Sequence, residues 1–138
     1  MKRKFANAAL FYAVLALVSG VFYREFTKLN DFTGKTNLSA LHTHYFVLGM
    51  FFFLILLLME NAFQLSNQPK LASSVVVYHI GLNLSTIMLL VRGVQQVLIE
   101  TPSRGLDASI AGISGLGHIV LGVGLILILI KIKKAAIQ

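Results

Sequence analysis

Four apolar runs, each long enough to cross a bilayer, dominate this chain and leave few folds open to it. Spanning the hydrocarbon core takes roughly 20 apolar helical residues, with a range of about 17–25. Inside it every backbone N–H and C=O must be paired within the protein, which a helix achieves by itself. The runs cover residues 5–23, 41–59, 75–99 and 108–130. Only 12% of the residues are charged and 57% are hydrophobic, against about 25% charged in an average soluble domain; the mean hydropathy is +0.80. The expected fold is all-α: one integral membrane domain over residues 1–138, an up-down four-helix bundle with the lipid bilayer as its surroundings. The first run follows basic residues as a signal peptide would, but no A-x-A-like site follows it, so it is expected to remain as a helix.

Charge placement sets the orientation. A net charge of +7 in a soluble protein would suggest a nucleic-acid partner. Here Lys2, Arg3 and Lys4 precede the first run, and Lys131, Lys133 and Lys134 follow the last. These are membrane-edge charges, and no nucleic acid is expected. With Lys70 they make seven positives on one side, against Arg24, Lys28, Lys35 and Arg104 on the other, where Glu25, Asp31, Glu100 and Asp107 also lie. Counted over short loops, this predicts both termini in the cytoplasm. The outer loop, residues 24–40, carries Phe26, Leu29 and Phe32 at i, i+3, i+6, a spacing that suits a short interfacial helix and a lid over the bundle. Asn37 or Ser39 is the expected cap of the second helix. With no Cys, disulfides and thiolate metal sites are excluded.

Ionisable residues inside a membrane are expensive and usually mark function. All four histidines fall within or at the edge of a run. His42 and His44 open the second helix on the outer side. At i and i+2 they lie about 200° apart on a regular helix, so they serve two sites, or one if the helix entry is unwound; otherwise they are an interfacial pair. Their place in the first turns favours neutral imidazole, the metal-binding form. His118 lies near the bilayer middle on the fourth helix, with Ser114 and Gly122 on its stripe and Ala111 and Gly115 beside it. It is either a hydrogen-bonding residue in small-residue packing or a ligand flanked by glycines so that a flat macrocycle can approach the backbone. His79 stacks with Asn83 and Thr86 on the third helix, which favours interhelical hydrogen bonding. Arg92, further out on that helix, either snorkels to headgroups or holds an anion, a haem propionate being a natural one.

The stretch GVFYREFTKLNDFTGKTNLSALHTHYFVLG, with the layout of nearly the whole chain, resembles a bacterial family of small four-helix membrane proteins of unknown function. The His42-Thr43-His44 pair and Arg92 also resemble one four-helix arc of the haem-copper oxidase and nitric oxide reductase catalytic subunit. There an outer His-x-His on a second helix serves two haems, and arginines near the outer end of a third helix hold propionates. That family's adjacent His-His pair and its cross-linked His-Tyr have no counterpart here. The resemblance implies haem b, with His42 and His44 as axial ligands, His118 as a further ligand, His79 as a lesser candidate and Arg92 as a propionate anchor. It also implies a homotrimer that rebuilds twelve helices, in the bacterial cytoplasmic membrane, for electron transfer, gas (oxygen or nitric oxide) binding or haem handling. The redox partner and any catalytic residues stay open. The alternatives are a copper- or zinc-binding protein or small metal transporter, and a structural subunit in which the histidines join helices.

Overall fold

The computed structural model describes residues 1–99, 101 and 103–137. Four helices, each long and apolar enough to cross a membrane, account for nearly all of them: α1 Lys2–Leu29, α2 Leu38–Phe63, α3 Leu71–Leu98 and α4 Arg104–Ile137. Gln64 closes α2 and Lys70 precedes α3, both in the left-handed region with φ 50° and 60°, around a 3₁₀ turn at Leu65–Asn67. Glu100, placed above among the acids of one side, lies outside the described residues. Successive helices run antiparallel, so both termini and the α2–α3 turn share one end, here the terminal end. The α1–α2 and α3–α4 connections form the distal end.

The helices are longer than the apolar runs because polar residues extend them past the hydrophobic limit. This corrects one expectation. Residues 24–29 are the last turns of α1 rather than loop, since no helix breaker occurs before Asn30-Asp31. Phe26 stacks on Phe22 one turn back, at a centroid separation of 5.0 Å, and no lid helix forms. What remains of the loop is tied down: Thr36 Oγ1 donates to Gly93 O at 2.8 Å and accepts from Leu38 N at 3.3 Å. Thr36 thus caps α2. Asn37 makes no side-chain cap, and Ser39 Oγ donates to Thr36 O.

Within lipid the hydrophobic effect does not hold helices together, so close packing and hydrogen bonds must. Glycines at a waist halfway along the bundle permit the approach. A Cβ at Gly49 would lie 2.5 Å from Tyr12 Cβ, one at Gly81 2.2 Å from Leu121 N, and one at Gly124 2.6 Å from the Tyr78 backbone. Tyr12, Phe53 and Tyr78 fill this waist, fully buried. The tightest pairing is α3 with α4, while α1 packs on α2 and makes no substantial contact with α4. Most large side chains of α1 and α4, such as Leu10, Leu17, Leu116 and Ile119, point outward, as suits a lipid-facing surface.

Candidate functional site: histidines across α2 and α4

The segment Leu38–His44 is regular α-helix, so the i, i+2 spacing turns His42 and His44 to different neighbours. His42 faces α1, where a Cβ at Gly20 would sit 3.8 Å from His42 Cβ. Its Nδ1 is buried without a hydrogen-bond partner. His44 faces α4, where its ring centroid lies 6.4 Å from that of His118, with the planes at 89°. The structure therefore brings together His44 and His118, and leaves His42 and His79 elsewhere.

Both rings of this pair are fixed in the same way. His44 Nδ1 lies 2.8 Å from Ala40 O, and His118 Nδ1 lies 2.8 Å from Ser114 O. A carbonyl can only accept, so each Nδ1 carries a proton, and in the neutral ring that leaves the Nε2 lone pair available. Neither Nε2 has a partner among the described residues. Fixing the tautomer through the other ring nitrogen is how proteins prepare a histidine for a metal. Around the pair the surface is open. A shallow, open depression of about 290 Å³ is lined by Thr43, His44, Val47 and Leu48 of α2, and His118 on α4 is exposed beside it. Gly115 and Gly122, one turn either side of His118, would have nothing within 4 Å of an added Cβ.

Directly after His44, residues Tyr45–Phe51 wind as a π-helix, a local expansion often found at functional sites. Tyr78 Oη donates to Leu48 O at 2.7 Å, so one carbonyl of this segment is satisfied from α3.

Arg92 pairs with Asp107 across α3 and α4, roughly 12 Å distal to the His118 level at 1.5 Å per residue. His79 belongs to a separate cluster near the waist. Asn83 Nδ2 donates to His79 O at 2.8 Å and to Tyr12 Oη at 2.9 Å. The Tyr12 hydroxyl then donates to His79 Nδ1 at 2.6 Å. Phe53 stacks on the imidazole at 4.6 Å with a 13° tilt. His79 is thus bonded between helices, with Tyr12 as the partner that sequence reasoning missed; a tyrosine in an apolar run gives no sign of what it will meet. No group of three or more metal-ligating residues forms among the described residues.

Four antiparallel helices of spanning length and apolarity define a multi-pass membrane protein of the four-helix class. A family model described as "Protein of unknown function (DUF2871)" matches residues 1–135, and the chain belongs to that family. No curated protein and no solved structure matches it.

Proposed function

We propose that this protein holds haem b through His44 and His118, for electron transfer, gas binding or haem handling. The observation that carries the reading is the pair of neighbouring imidazoles, 6.4 Å apart with planes at right angles, whose Nε2 atoms are unengaged. Two nitrogens suffice for a haem iron, whose other ligands come from the macrocycle, but not for the tetrahedral site that zinc prefers. His44 and His118, with ring centroids 6.4 Å apart, would hold the iron, and the open positions at Gly115 and Gly122 leave room for a flat ring.

When bound, haem would supply a one-electron iron couple or a binding position for a gas. The chain's own residues do the rest. Ala40 O and Ser114 O fix the ligand tautomers, the glycines of α4 admit the ring edge, and Val47 and Leu48 keep water away. Arg92 would anchor a propionate through the guanidinium N–H groups that Asp107, bonded at Nη1, leaves free. His42, turned toward α1, remains a ligand for a second group on the other side of α2.

In this reading the seven-to-four excess of positive charges places both termini in the cytoplasm. A homotrimer of haem-copper-oxidase-like outline would enclose whatever extends beyond the groove. One observation favours the copper alternative: the open depression beside His44, about 290 Å³, falls just below the roughly 300–1,000 Å³ of small-molecule sites. An absorption spectrum with elemental analysis, on protein purified from haem-replete cells, separates the readings. Haem gives a Soret band and iron, and the alternative gives copper without one. Protein carrying neither would overturn the proposal.

A further inference from the structure

We propose a second site, for a lipid-soluble molecule with a hydrogen-bonding carbonyl oxygen, in the distal half of the α1–α2–α3 junction. The prenylated quinones are the class that fits. A crevice of about 270 Å³ opens there, with Leu15, Ser19, Phe22, Tyr45, Ile87 and Leu90 among its lining. Its walls are almost wholly apolar, and Ser19 Oγ already donates to Leu15 O at 2.6 Å. Tyr45 is the exception. It is only 8% exposed, yet its hydroxyl has no hydrogen-bond partner among the described residues. The hydroxyl is not one of the sealed-off unpaired atoms of the bundle, so it is accessible, and a tyrosine hydroxyl in apolar surroundings ordinarily finds a partner. Its ring is held against Tyr12 at a centroid separation of 6.0 Å, so it stands as a fixed donor in a dry site.

Depth selects the occupant. The midpoint of α2 (Leu38–Phe63) falls near Met50, which puts Tyr45 roughly 7 Å from the bilayer centre at 1.5 Å per residue. The hydrocarbon core is about 30 Å thick, so the ester carbonyls of a phospholipid lie near its edge, about twice as far out. A group meeting Tyr45 must belong to a molecule that resides within the hydrocarbon, and a quinone ring on an isoprenoid tail does. The crevice lies on the α1 side of α2, away from the groove that His44 shares with α4, so the two sites succeed or fail independently.

The chain has no tryptophan, so Phe22→Trp at the crevice supplies a single tryptophan whose emission a quinone will quench. Protein with this substitution is placed in nanodiscs of phosphatidylethanolamine and phosphatidylglycerol and titrated with ubiquinone-2. The expected result is saturable quenching. Tyr45→Phe should weaken it about 2–10-fold, the range for losing one hydrogen bond. Val18→Phe, on the crevice wall but 59% exposed and so tolerant of change, should abolish it. Quenching that rises without saturation, or equal affinity in parent and Tyr45→Phe, overturns the site. A phospholipid seen by native mass spectrometry on the parent but not on Val18→Phe, and undisplaced by ubiquinone-2, overturns the assigned class.

Discussion

Replacing Gly81 by alanine should loosen the bundle and disturb the histidine pair through α4. The added Cβ would stand 2.2 Å from Leu121 N, 2.4 Å from Leu121 Cα and 2.7 Å from Val120 C. All three are backbone atoms and cannot swing aside. Ordinary contact begins near 3.4 Å, so α3 and α4 must part by more than about 1 Å, against packing that has no void to absorb it. Overpacking of this kind costs typically 1–3 kcal/mol. With backbone on both sides the upper figure applies, which is on the order of a hundredfold in the folding equilibrium. Titration from mild detergent into sodium dodecyl sulfate, followed by circular dichroism, reads that change. His118 lies one turn from Leu121, so the same shift should lower haem occupancy. Gly105→Ala, where the added carbon meets nothing within 4 Å, is the matched control and should change neither. If Gly81→Ala unfolds like the parent, the claim that close backbone approach joins α3 to α4 is refuted.

Other consequences follow from the polar contacts. Tyr78→Phe removes the donor to Leu48 O and leaves a carbonyl of the π segment unpaired in hydrocarbon, at about 1–3 kcal/mol; hydrogen exchange should quicken around Leu48 first. Tyr12→Phe strips one hydrogen bond each from His79 and Asn83 and should lower stability by a similar amount while leaving any Soret band in place. A shifted band would instead make His79 part of the haem site. Asp107→Asn leaves Arg92, whose side chain is 23% exposed, without its counter-charge. A loss of about 1 kcal/mol or less is expected, because the Asp107 side chain is half exposed and such pairs contribute little; it is measurable in the same denaturant titration.

The spans were legible in the sequence because period and length suffice to recognise a membrane helix. Their ends were not: Arg24, Glu25 and Lys28 read as loop, yet nothing between Tyr23 and Leu29 prevents α1 from continuing. The separation of His42 from His44 also followed from helix geometry, since the segment holding them is regular. Partners across helices were beyond reach. Gly81, Gly117 and Gly124 look no different in sequence from Gly112, Gly115 and Gly122, but the former meet α3–α4 backbone or side chains and the latter meet nothing. Which set packs depends on how α4 is rotated, and its apolar surface runs almost all the way round. The same uncertainty hid the meeting of His44 with His118, of Tyr12 with His79, and of Arg92 with Asp107. The π-helical winding at Tyr45–Phe51 has no sequence signal that we can identify.

The most direct test of the central claim is low-temperature electron paramagnetic resonance of the oxidised, purified protein, with His44→Ala and His118→Ala beside it. Two axial imidazoles predict a low-spin ferric haem signal in the parent, and a high-spin signal or no haem in either variant. A low-spin signal that survives His118→Ala unchanged would contradict the assignment of this pair.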